Sequence, residues 1–197
     1  MSSALDLEAP PDANWFIGLP LDGAFLATLP PPPPNFRLFG AHDVHLTVAF
    51  LGRCGPERAA RALEALDEAL AAQRFEPIAY SLGAVVPMGN PRRYSALSAL
   101  LAEGREPTTE LMGALREDLW KAAEATPDTR PPLPHATIAR PQRRAEMHDR
   151  AAGLRWASRL DLSWVRGTID RIALFTWAER RDEGLFRVVG ERPLSGA

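Results

Sequence analysis

His45-Leu-Thr-Val-Ala-Phe50 and, further along the chain, His135-Ala-Thr-Ile-Ala-Arg140 are two versions of one pattern: histidine, apolar residue, threonine, β-branched apolar residue, alanine. Side chains of an extended chain alternate between faces, so His45, Thr47 and Ala49 are expected on one face and Leu46, Val48 and Phe50 on the other. The second copy reads the same way, with His135, Thr137 and Ala139 together and Ala136 and Ile138 packed behind. Strict alternation puts Arg140 on the face opposite the imidazole. A role for it beside His135 therefore requires a bulge or an early end to the strand. One His-x-Thr on a strand is a weak signal, since a hydrogen-bonded structural histidine explains it. Two copies with matching flanks, in a chain with four histidines, point instead to a duplicated element whose His-Thr faces converge on a cleft.

The segments around these strands fall into two halves of similar order. Asn14 to Leu19 reads as a strand and Leu21 to Leu29 as a short helix. After Gly55, Pro56 suits a first helical position, and Ala59, Leu63, Leu66 and Leu70 share one face of a helix expected to run to about Arg74. Ile78 to Val86 and Arg93 to Leu101 read as an antiparallel pair broken by the turn formers of Pro87-Met-Gly-Asn-Pro91. A second helix is expected from Thr108 as N-cap, through Leu111, Leu115, Leu119 and Ala122. Then come the strand Ala136 to Ala139, a polar helix near Gln142 to Leu154, and strands at Thr168 to Trp177 and Leu185 to Val189. Residues 1–13 read as a flexible tail, and residues 14–197 as one α+β domain with internal pseudo-symmetry. Pro30 to Pro34 reads as a stiff connector.

Composition narrows the classes. With 197 residues, 46% hydrophobic and 24% charged, the chain is long enough for a real core and too apolar for disorder. A net charge of −2 argues against coating nucleic acid through a broad basic surface, yet leaves room for a short phosphate-bearing ligand. The single cysteine, Cys54, excludes an internal disulfide and a multi-cysteine zinc site. Met1 to Asn14 lacks the basic start and apolar run of a signal peptide, and no stretch is long enough for a membrane span. A cytoplasmic location, with no membrane and no obligate protein partner, is the expectation.

Two imidazoles facing one volume supply what phosphodiester cleavage needs without a metal. One neutral histidine takes a proton from water while a protonated one donates to the departing sugar oxygen. The hydroxyls of Thr47 and Thr137 are suited to the nonbridging oxygens as charge accumulates on them. No cofactor is called for. A zinc hydrolase lacks ligands at suitable spacing, since only His42 and Asp43 stand near the first motif. A nucleotide-binding module without turnover and an enzyme opening another cyclic phosphate remain as alternatives.

The paired segments resemble the hallmark motifs of the 2H phosphoesterase superfamily, and their context is similar to its bacterial RNA 2′,3′-cyclic phosphodiesterase (2′-5′ RNA ligase-like) branch. Trp15-Phe-Ile-Gly-Leu-Pro20 resembles the family's opening strand and Val44 to Gly52 its first motif. Pro91-Arg-Arg-Tyr94 resembles its proline-arginine turn, and Pro134 to Arg140 its second motif. The similarity spans about residues 14–192. It implies a bilobal fold of two antiparallel sheets flanked by helices around a cleft. It also implies hydrolysis of 2′,3′-cyclic phosphate ends of RNA or nucleotides to 2′-phosphates without a metal, with ligation as the reverse reaction; a monomer is expected. His45 would be the acid and His135 the base, although a pseudo-symmetric site allows either order. Arg140 would contact phosphate. Tyr94 is a candidate for stacking on a base, and Phe16 for lining the cleft. The longer N-terminal tail, the proline run and the polar Arg93-Tyr-Ser-Ala-Leu-Ser segment depart from the pattern and bear on substrate identity.

Overall fold

A computed structural model describes residues 6–90, 92–181 and 184–195. Its strands are β1 (Trp15–Pro20), β2 (Phe36–Leu38), β3 (His45–Gly52), β4 (Ile78–Met88), β5 (Ala96–Glu103), β6 (His135–Pro141), β7 (Arg166–Ile169), β8 (Arg171–Trp177) and β9 (Phe186–Pro193). The helices are α1 (Pro56–Ala72), α2 (Arg105–Ala122) and α3 (Met147–Ala157). The sheet order is β7-β4-β5-β6-β3-β1-β8-β9, with β2 paired to β6, and each pairing is antiparallel. The expected α+β fold is present, but hydrogen bonding runs continuously through what was expected to be two sheets. Its two halves meet where β3 and β6 pair at Leu46 and Ala136.

Helix α1 starts as its sequence suggests, with Gly55 at positive φ as N-cap and Pro56 behind it. It buries Ala59, Ala62, Leu63 and Leu66. Helix α2 starts earlier than Thr108. Gly104 precedes Arg105 in a left-handed conformation, and a Cβ there would lie 2.4 Å from the carbonyl oxygen of Ala79. Pro107 is tolerated in the first turn, where backbone N–H groups have no helical partner. Thr108 is buried one turn in, its hydroxyl donating to the Gly104 carbonyl at 2.6 Å. Leu111, Met112, Leu115, Leu119 and Trp120 of α2 pack inward against α1 and β3. Burying side chains of this size stabilises by about 1.5–3 kcal/mol each.

Three other expectations change. The segment Leu21 to Leu29 holds only a 3₁₀ turn, Ala24–Thr28. The run Thr168 to Trp177 is two strands, because the chain crosses at Asp170 from β7, paired to β4, to β8, paired to β1. The described part of the tail is packed: Leu7 and Ala9 lie against the core, Ala13 is buried, and Arg187 donates to the carbonyls of Asp6 and Glu8. Residues 1–5 lie outside the described residues. The proline run is tied down at its start, where the Trp156 indole N–H of α3 donates to the Pro30 carbonyl at 3.1 Å. Among the described residues no helix is long and apolar enough to cross a membrane.

Candidate active site

Both motifs open a strand in the middle of the sheet, and both strands carry the same irregularity. Along β3, Ile17 faces Ala49 and Gly18 faces Thr47, so Val48 is skipped. Along β6, Leu97 faces Ala139 and Ser98 faces Thr137, so Ile138 is skipped. Each is a one-residue bulge three positions after the histidine, and beyond it the alternation of faces is inverted. The six-residue burial pattern is accordingly the same in both: partly buried, buried, partly buried, buried, buried, exposed. Arg140 thus returns to the face of His135, the condition that strict alternation did not meet. Phe50 does the same beside His45; the expectation that it packs behind the strand is corrected, since it is 54% exposed.

With Leu46 opposite Ala136 in an antiparallel register, His45 stands across from Thr137 and Thr47 across from His135. The histidines occupy one diagonal of this square and the threonines the other, and diagonal neighbours are spaced about 7–8 Å apart. Each imidazole is held in the same way. His45 Nδ1 donates to the carbonyl of Asp43 at 2.7 Å, and His135 Nδ1 donates to the carbonyl of Leu133 at 2.6 Å. A carbonyl only accepts, so each neutral ring carries its proton on Nδ1 and keeps the Nε2 lone pair free for chemistry. The Thr137 hydroxyl lies 3.2 Å from that of Ser98, which is fully buried on β5. Thr47, Phe50, His135 and Arg140 line a cleft of about 1020 Å³ that continues past Arg116 and Trp120 of α2 to the loop 126–133.

The two histidines differ in their surroundings. Phe16 stacks on His45 with ring centroids 4.5 Å apart, Phe175 lies at 5.3 Å, and Phe186 meets it edge-on at 5.4 Å. Burial in this wall pushes His45 down to about 4; the Asp43 carbonyl works in the opposite direction, and Arg140 and His135 add to the lowering. That His135 and Arg140 act on His45 electrostatically is a second sign that the two motifs share one volume. Partial burial, and then the neighbouring Arg181, also disfavours the charge of Arg140.

Phe16 is buried at 3% exposure, so it forms the back of the His45 pocket and not an open face for substrate. Gly18 permits the close approach: a Cβ there would stand 3.0 Å from the Leu46 carbonyl oxygen and 3.5 Å from the His45 ring. Tyr94 corrects its expectation outright. It is fully buried, its hydroxyl donates to the Arg150 carbonyl of α3 at 2.7 Å, and Gly153 leaves room for that hydroxyl. A ring so enclosed has no face to offer a base; Tyr94 fastens α3 beneath the sheet. Pro91, from the same turn, lies outside the described residues.

Asp43 escaped the sequence reading as anything but a remote metal ligand. It is buried, and its carboxylate accepts from the backbone N–H groups of Leu185 at 2.8 Å, Phe186 at 3.0 Å and Gly40 at 3.1 Å. Its carbonyl orients His45 while its carboxylate holds the Phe186 wall in place. An Asp two residues before the first motif histidine was the available signal. His42 and His148 are exposed; His148 sits beside Glu146 and Asp149 of α3. Among the described residues no three His, Cys, Asp or Glu side chains converge as a metal site.

Solved structures with this fold include E. coli LigT in complex with 3′-AMP, with 18% identity, 93% of this chain and 98% of that chain covered, and a TM-score of 0.64. A Thermus thermophilus protein matches at 19% identity over 92% of this chain and 97% of its own, with a TM-score of 0.66. No curated protein matches. The model of the 2′-5′ RNA ligase superfamily matches residues 32–181, a span that contains both histidine motifs, and the chain belongs to that superfamily.

Proposed function

We propose that the protein is a metal-independent phosphodiesterase that hydrolyses 2′,3′-cyclic phosphate ends of RNA or nucleotides to 2′-phosphates. The observation that carries this reading is the matched pair of imidazoles, each with Nδ1 bound to a backbone carbonyl two residues upstream and Nε2 free. In the proposed reaction His135 takes a proton from water as its oxygen bonds to phosphorus. The bond from phosphorus to the 3′ oxygen breaks, and His45 protonates that oxygen. Thr47, Thr137 and Arg140 neutralise the nonbridging oxygens. The E. coli relative's complex with 3′-AMP is a ligand of the class expected.

The acid role for His45 follows the superfamily resemblance, and the site imposes a condition on it. With a value near 4, His45 is neutral at neutral pH. A phosphate anion about 4 Å away in a medium of effective dielectric about 20 favours the charged ring by about 4 kcal/mol, or about 3 pH units. Substrate therefore supplies the charge that restores the proton. The test is hydrolysis of 2′,3′-cyclic nucleotides and cyclic-phosphate RNA ends in chelator, with the product isomer identified by phosphorus NMR. Turnover to the 2′-phosphate that both His45→Ala and His135→Ala abolish is the expected result. Activity retained by either variant, or lost by the wild type in chelator, ends the two-histidine reading.

A further inference from the structure

The positive charge of the cleft extends past Arg140. Strand β2 pairs with β6 so that Arg37 stands directly opposite Arg140, and residues so paired project from the same face. Two like charges in that position repel. Arg37 also donates through Nη2 to the backbone carbonyl of Arg181 at 2.9 Å, and the Arg181 guanidinium is near enough to disfavour the charge of Arg140. Aromatic faces hold two of the three: Arg140 lies 5.3 Å over Phe39, and Arg181 lies 4.2 Å over Trp177. Phe39 in turn neighbours Phe186, the edge-on ring against His45, so the cluster is continuous with the His45 side of the site.

Several arginines elsewhere are matched by carboxylates: Arg58 and Arg61 meet Glu124, Arg171 meets Asp170 and Glu191, and Arg192 meets Asp67. Among the described residues no carboxylate lies within ion-pair distance of Arg37, Arg140 or Arg181. A cyclic phosphate carries one negative charge, and Arg140 with the two threonines already answers it. Three clustered guanidiniums, two of them outside the proposed chemistry, call for a second anion, and their planar forks suit phosphate oxygens.

We propose that Arg37 and Arg181, beside Arg140, form a second phosphate subsite, which takes the phosphate 5′ to the terminal ribose. That phosphate has two sources of the same chemistry, the internucleotide diester of an RNA end and the 5′-phosphate of a mononucleotide. The proposal rests on the cleft being a cyclic-phosphate site. It also accords with a net charge of −2, because a few local arginines grip one or two phosphates where a broad basic surface tracks many.

The test compares kcat/KM for adenosine 2′,3′-cyclic phosphate bearing a 5′-hydroxyl, the same compound bearing a 5′-phosphate, and the dinucleotide ApA ending in the cyclic phosphate. The second phosphate should raise kcat/KM by about tenfold or more, and Arg37→Gln and Arg181→Gln should each pull that ratio toward one. A gain for the dinucleotide alone, lost in both variants, identifies the RNA end as the source; a gain for both compounds admits the mononucleotide. Calorimetric binding of adenosine 2′-phosphate against adenosine 2′,5′-bisphosphate reads the subsite without turnover. If nothing is hydrolysed but the bisphosphate binds more tightly in an Arg37-dependent way, the cyclic phosphodiesterase reading fails and the subsite stands. Equal binding of the two nucleotides, or a preference that survives both substitutions, overturns the subsite.

Discussion

The strands β3 and β6 run through the same local structure and end with different chemistry. Both begin with a histidine whose Nδ1 donates two residues back, both carry a threonine on the same face, and both skip the residue after it in their pairing. The position restored to the cleft by the bulge is Phe50 in one and Arg140 in the other. The residue paired with the threonine is Gly18 in one and Ser98 in the other. His45 is walled by Phe16, Phe175 and Phe186, whereas His135 lines the open cleft. A duplicated backbone thus supplies two equivalent mounts, and the side chains set on them make one end of the site aromatic and enclosed and the other charged and open. The aromatic wall disfavours the charged form of His45.

The strongest challenge to that comparison is removal of either histidine. His45→Ala and His135→Ala should each lower kcat by about 10²- to 10⁴-fold, with the double variant little worse than the poorer single, because acid and base act in one step. Additive losses would mean that the two mounts work independently. Next comes the charged end: Arg140→Ala should cost about 10- to 100-fold in kcat/KM through lost charge-assisted hydrogen bonds. A change of less than twofold would return Arg140 to the structural role that alternation gave it.

At the aromatic end, Phe50→Ala should raise KM by about tenfold for a nucleotide whose base stacks on the exposed ring, with stability little altered. An unchanged KM would make Phe50 a wall without a ligand. The lowered proton affinity of His45 has its own readout. The His45 ring in the free protein should titrate near pH 4 by NMR and move upward when inorganic phosphate is added, since an anion favours the charged ring. Its folded value lies below the ordinary histidine range, so the unfolded chain binds the proton more readily. Stability is then full above about pH 6.5 and falls by about 3 kcal/mol as pH drops toward 4. A His45 ring that titrates near 6.5 in the folded protein would show that its aromatic wall does not disfavour the charged form. The smallest effect belongs to Tyr94→Phe, expected to cost about 1 kcal/mol in denaturant unfolding through the lost bond to Arg150, with kcat/KM unaltered. A fall in kcat/KM would reinstate Tyr94 at the cleft.

What was readable in advance was what depends on near neighbours in the chain. The repeat of His, apolar, Thr places imidazole and hydroxyl on one face wherever the segment is extended, and the 3- and 4-residue spacing of Ala59, Leu63 and Leu66 makes α1 amphipathic in any surroundings. Thr108 misled because a threonine followed by Glu110 is a good cap locally, while the helix start was decided by Gly104 fitting against Ala79. Tyr94 misled because an aromatic residue in a strand-like run carries no mark of whether its ring will meet a helix or a ligand.

The sequence by itself determined the duplicated motif, the α+β class and the two histidine-threonine pairs, because periodicity and alternation along a segment are properties of the backbone. Tertiary structure decided which residues join them. The bulges at Val48 and Ile138 are defined by the registers of β1 and β5, and they alone turn Phe50 and Arg140 into the cleft. The low proton affinity of His45 comes from rings on β1, β8 and β9, far away in sequence. The arginine cluster exists because β2 lies against β6. Faces follow from local geometry, whereas burial, register and charge proximity depend on which distant segment the strand meets.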